Sequence, residues 1–295
     1  MSTQITTSFV QQYRGNVEFL VQQEGSRLRG LVRTESINGK SAFFDQIGAT
    51  AAHRRTSRHA DTPRMDTPHA RRRVTSESFD WADLVDREDL VRTLDNPASD
   101  YAKAAAWAMG RAMDEVIIDA ALGTAYYGEA GTSTIALPSA QKVAVASTGL
   151  TLAKLLSAKE ILDAADVDPS EPRYLACTAA QMTDLLNTTE VKSSDYNTVK
   201  ALVQGQLDTF MGFKFIGVNG LRIDATALLP ANGGSSSRQC IAWVKSGLLL
   251  AVGMEPRAEI GPRADKNYAT QVFYSMDIGA TRMQEKKIVE IDCAE

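Results

Sequence analysis

Residues 97–122, PASDYAKAAAWAMGRAMDEVIIDAAL, constrain this chain more than any other segment. Asn96 is an N-cap residue and Pro97 suits the first helical position. The following residues are rich in alanine, the strongest helix former, and Gly123 supplies the stop. The segment predicts one rod of roughly 39 Å, which other layers must cover along at least one side. At 100° per residue, Tyr101, Ala105, Met109, Ala112, Met113, Val116 and Ala120 share a face. Asp100, Lys103, Arg111, Asp114 and Glu115 share the opposite one. Trp107 falls among the charged residues. It has two readings, a ring lying over its own loops or a contact for another copy of the chain.

Upstream of the rod lies a region with charge and turns but little to bury. LVRTESI, FFDQIGA and RRRVTSESFDWADLV are strand-like, and Thr62–Pro63 and Thr67–Pro68 punctuate the region. Residues 33–85 are expected to form a long two-stranded excursion with an irregular tip, poorly stable without a partner. Net charge is −4 overall. Between His53 and Arg73, Arg54, Arg55, Arg58, Arg64, Arg71, Arg72 and Arg73 stand against Asp61 and Asp66, a balance of +5 that leaves −9 for the rest. An acidic run follows at once, with Glu77, Asp80, Asp83 and Asp86. A single-strand nucleic-acid binder would interleave stacking rings with the arginines. No Phe, Tyr or Trp occurs between Phe44 and Phe79, and the pI of about 5.6 is low for a dedicated binder. The expectation is that the basic and acidic blocks meet on different copies of the chain. The contact residues would be the seven arginines, Glu77, Asp80, Asp83, Asp86 and Trp107.

The remainder alternates. Residues 1–32 carry spaced apolar positions from Phe9 to Val21, consistent with a loosely amphipathic helix that packs on something else. Residues 124–149 read as a loop with short strands. From Thr151 come a helix (LAKLLSAKEILDAAD, with Leu152, Leu155, Leu156, Leu162 and Ala165 at core spacings), the strand RYLACT, and a helix around AAQMTDLLN. A further short helix around NTVKALVQG precedes GFKFIGV, and QCIAWV, SGLLLAVG, QVFYSMDIGA and EKKIVEID read as strands. The fold class is α+β.

The search for chemistry finds no GxSxG, P-loop, HExxH or GxGxxG. The three histidines, at 53, 59 and 69, lack the helical spacing of a metal pair. The three cysteines are far apart, without a CxxC, and Cys177 reads as a buried, inert thiol. No cofactor or metal and no catalytic residue is expected. No apolar run approaches the ~20 residues that span a membrane.

The order of parts, with segments such as GKSAFFDQIGA, DTPHARRRV, WADLVD, DYAKAAAWAMGRAMDEVIIDAALG and IGATRMQEKKIVEI, resembles the major capsid proteins of tailed bacteriophages. That resemblance covers essentially the whole chain. It implies an N-arm (1–32), an extended E-loop (33–85), and a P-domain (86–149) whose spine helix is 97–122. An A-domain (150–255) and strands returning to the P-domain (256–295) would follow. It also implies copies arranged as pentamers and hexamers in the icosahedral head of a virion around double-stranded DNA, with portal and decoration proteins as partners. Only 96 residues precede the rod, so a separate scaffolding protein is expected. Nothing identifies an acceptor for a cross-link from Lys40. The same fold could serve an encapsulin-type bacterial compartment, and an unrelated α/β enzyme is the remaining alternative.

Overall fold

The computed structural model describes residues 22–59, 61–86, 98–187, 209–232 and 237–295. The amphipathic pattern of 9–21, Asn96, Pro97 and the NTVKALVQG helix lie outside them. In chain order the elements are β1 (Arg33–Ser36), β2 (Ser41–Ile47), β3 (His69–Thr75), β4 (Glu77–Val85), α1 (Ala98–Leu122), β5 (Ala125–Tyr127), β6 (Ser133–Ile135) and β7 (Lys142–Val143). There follow α2 (Leu152–Ala164), β8 (Arg173–Cys177), α3 (Ala179–Asn187), β9 (Thr209–Phe210), β10 (Phe213–Gly217), β11 (Ser237–Val244), β12 (Leu248–Arg263), β13 (Ala269–Arg282) and β14 (Ile288–Ala294).

The alanine-rich rod is α1. Its buried side is Ala105, Met109, Ala112, Met113, Ile117, Ile118 and Ala121. These pack on a sheet of order β1-β12-β13-β4, against Leu250 and Val252 of β12 and Met276 and Ile278 of β13, with Phe79 and Trp81 of β4 beside them. The buried stripe is rotated from the expected one. Tyr101 is exposed, Val116 and Ala120 are half-buried, and Asp114 is buried. The reason is that the chain returns over that side. Asp114 accepts from Leu28 N (3.0 Å), Arg27 N (3.0 Å), Ser26 Oγ (2.6 Å) and Gln23 Nε2 (2.5 Å). Gly110 permits the approach, because a Cβ there would collide with the backbone of Gly25 and Ser26.

The second layer is a six-stranded sheet of order β7-β14-β11-β8-β10-β9. One face carries Leu175, Cys177, Cys240, Ala242, Val244, Val289 and Ile291 against Leu155, Ala158 and Leu162 of α2 and Leu185 of α3. The other face carries Tyr174, Ala176, Ile241, Trp243 and Ile288, which join the core under α1. Both faces are covered, so β8 is buried at every position; Tyr174–Cys177 carry no charge, and the buried Arg173 at its start pairs with Asp163 at 2.7 Å. Cys177 is fully buried, and burial pushes its thiol up to about 12. On α2 the expected core position Leu156 is exposed and Lys154 is buried instead. Its ammonium donates to the carbonyls of Val145 (2.7 Å), Thr148 (2.7 Å) and Asp292 (2.8 Å), which satisfies all three N–H donors.

The closing strands divide between the layers. β12 and β13 form the long hairpin under α1, whereas β14 leaves it and inserts between β7 and β11 of the six-stranded sheet. Val289, Ile291 and Cys293 on one side, with Ile288 and Glu290 on the other, need two covered faces, and this central position provides them.

Candidate functional site

The excursion belongs to a third sheet, of order β2-β3-β5-β6. β2 and β3 pair antiparallel from Ser41↔Thr75 to Ile47↔His69. Gly48 N donates to Pro68 O at 2.9 Å, and the described residues beyond that bond are neither strand nor helix. Arg54, Arg55, Arg58 and Arg64 all stand exposed there. Arg55 bonds to the carbonyls of Ser57 and Arg58, and Arg64 lies 3.3 Å from Asp66 with both side chains about nine-tenths in water.

Arg71, Arg72 and Arg73 behave differently, because β3 aims them alternately at its two faces. Arg71 bonds Asp45 across the hairpin at 2.6 Å and lies 5.5 Å from the Phe43 ring centre. That hydrogen bond holds the Asp45 carboxyl below its ordinary value. Arg73 sits 4.7 Å over Tyr126. Arg72 points inward, 8% exposed. It donates to Glu285 (2.7 Å) and to Met283 O (3.2 Å) and lies 5.8 Å from the Tyr127 ring. The aromatic partners missing from the sequence around the arginines are therefore supplied by β2 and β5. Each of those rings is already faced by a guanidinium of the same chain, so they are not free stacking platforms.

Of the acidic run, Glu77, Asp80 and Asp83 lie on β4, which is an edge strand, and Asp86 follows its end. Glu77, Asp80, Asp83 and Asp86 are exposed, and among the described residues none of the four forms an ion pair. Asp83 accepts from Leu84 N at 2.8 Å. An edge carrying carboxylates at close intervals is guarded against casual strand addition and presents a negative strip. β3 and β4 are nearly one strand broken at Ser76, whose N–H bonds Lys40 O at 3.0 Å, so the basic and acidic blocks diverge from a common kink. Trp107 is half-buried on α1 and makes an interaction within the chain.

Sequence reasoning missed the segment that joins the excursion to the body. Arg282 is fully buried and donates to the carbonyls of Ala121 (3.0 Å), Gly123 and Ile135 (2.9 Å). A cation among the last carbonyls of α1 meets the negative end of its dipole. Met283 O receives Gln46 Nε2 at 2.6 Å as well as Arg72. The signal was present in IGATRMQEKK, whose mixture of charge and apolar residues fits no exposed strand, but its partners are far away in sequence.

A long helix laid over a long hairpin, a second α/β layer, and a charged excursion without a core of its own define a tailed-phage capsid fold. The family model described as phage capsid protein matches residues 5–295. The chain belongs to that family: it is a major capsid protein of a phage head. Solved structures agree on the fold. The capsid protein of cyanophage P-SCSP1u is 18% identical, with a TM-score of 0.75, over 100% of this chain and 96% of that one. That of Helicobacter pylori bacteriophage KHP30 is 12% identical, with a TM-score of 0.73, over 99% and 97%. A chain in a solved structure of Mycobacterium phage Che8 is 16% identical, with a TM-score of 0.62, over 96% of this chain and 97% of that one. No curated protein matches the chain.

Proposed function

We propose that copies of this chain close as pentamers and hexamers into an icosahedral shell around double-stranded DNA, and that the subunit does no chemistry. The excursion carries this reading. Its tip is charged, exposed and without a core, an arrangement with no use inside one subunit and an evident use between subunits. In this reading residues 33–85 act as the E-loop, its projecting part being 41–75 because β1 and β4 lie in the sheet under α1, between an N-arm (1–32) and a P-domain (86–149), with 150–255 as the A-domain. Arg54, Arg55, Arg58 and Arg64 of one copy lie toward Glu77, Asp80, Asp83 and Asp86 of the next. Exposed charges of this kind select partner and register more than they add affinity. A separate scaffolding protein, a portal, decoration protein and DNA held without sequence specificity complete the set of partners.

Electron microscopy of the protein expressed alone, and then with its genomic neighbours, tests the reading. Closed shells with rings of five and six are expected, homogeneous only in the presence of the scaffold. Small soluble particles under both conditions would overturn it. Reversing Arg54, Arg55, Arg58 and Arg64 to glutamate should abolish shells while leaving the far-ultraviolet circular dichroism unchanged. Normal shells from that variant would remove the electrostatic contact but leave the shell standing.

A further inference from the structure

The excursion meets the body at a seam whose polar groups are incompletely satisfied. Among the described residues, the buried side-chain atoms of this seam without a hydrogen-bond partner include Arg72 Nη1, Arg282 Nε and Glu285 Oε1. The same few residues hold three separate parts. Arg282 grips the end of α1 and, through Ile135 O, the β5–β6 hairpin. Met283 O holds β2 and β3, and Glu285 holds β3 through Arg72. Apolar support at the seam is slight, consisting of Ile37, Val74, Leu249, Ala251 and Met283 with Ala42 and Phe44. Gly279 lets the kinked strand cross, since a Cβ there would collide with Thr75 O.

We propose that residues 282–285 are a clasp, that the Arg72–Glu285 pair sets the angle at which the β2–β3 hairpin projects, and that this pair opens when the angle is reset against neighbouring copies. The last clause rests on the shell reading above; the first two do not. The physical ground is that the seam is polar and reaches the surface. A buried ion pair with no access to water is costly to break. Here the Arg72 and Glu285 side chains keep 10% and 13% of their surface exposed and only a small apolar cluster supports them, so closed and open forms lie nearer in free energy than for a fully enclosed pair. Arg72 and Glu285 are positioning residues: they act through the hairpin.

Hydrogen exchange on the unassembled, full-length subunit tests the clasp without shell assembly. In Glu285→Gln and in Arg72→Met, amide exchange in residues 41–47 and 69–75 should rise roughly tenfold or more, as for loss of one partner of a buried pair. The amides of α1 and of the six-stranded sheet should not change. The swap Arg72→Glu with Glu285→Arg should restore much of the protection. Unchanged exchange in the hairpin would overturn the proposal. So would an equal rise throughout the body, which would mark the pair as an ordinary core contact. If Arg72→Met fails to fold, Glu285→Gln decides, because it keeps the shape and one hydrogen-bonding oxygen. Microscopy of the same variants separates the outcomes. Altered exchange with normal shells would sink only the resetting role, whereas failure of the wild-type chain to form shells would count against the shell reading and leave the clasp intact.

Discussion

The body and the excursion are held together by different physics. Around Trp243, Leu250, Met276 and Ile288 the body is dry, and its strands pair over long registers. The excursion coheres through Arg71 on Phe43, Arg72 on Tyr127 and Arg73 on Tyr126, a ladder of guanidinium–ring contacts partly in water. Each such contact contributes about 0.5–1 kcal/mol, against about 1.5–3 kcal/mol for one fully buried large apolar side chain. Stability is thus concentrated in one region and adaptability in the other. A tile that must fit slightly different neighbours needs both.

The contrast can be attacked from its strongest side first. Trp243 is 2% exposed, lies 5.7 Å from the Tyr174 ring and donates Nε1 to Leu31 O at 3.2 Å. Trp243→Ala should cost about 3–5 kcal/mol in urea unfolding of the subunit. A loss below 1 kcal/mol would mean the body is not the source of stability. Asp114→Ala leaves two backbone N–H groups and two side chains of the returning arm without their acceptor. A loss of about 2–4 kcal/mol is expected, with Asp114→Asn recovering part of it. Proteolysis near residues 22–28 should report release of the arm, and unchanged cleavage would contradict its anchoring role. Tyr126→Ala, on the excursion, should cost less than about 1 kcal/mol. A body-sized loss would erase the proposed division between the regions.

The sequence made the local elements readable and left the long-range ones obscure. The alanine-rich rod appears as Ala98–Leu122, and RYLACT, GFKFIGV and QCIAWV all fall on strands, because these patterns depend on neighbouring residues alone. Asp114 was placed on the solvent side of the helix since a wheel records no arm returning over it. Leu156 and Lys154 exchanged expected roles for a similar reason, as three carbonyls converge on the ammonium from 6 to 138 residues away in sequence. At the charged surface, the composition of the basic and acidic blocks was visible. That Arg72 turns inward while Arg54, Arg55, Arg58 and Arg64 remain in water depends on the β2–β3 register and on where that sheet ends.

The placement of β14 also decides where the six-stranded sheet ends. With β14 seated between β7 and β11, both of its long edges are paired, and among the described residues the sheet stops at two-residue strands, β7 and β9. Edges that short offer little backbone for another copy to pair with. Copies crowded side by side are therefore discouraged from joining edge to edge through this sheet.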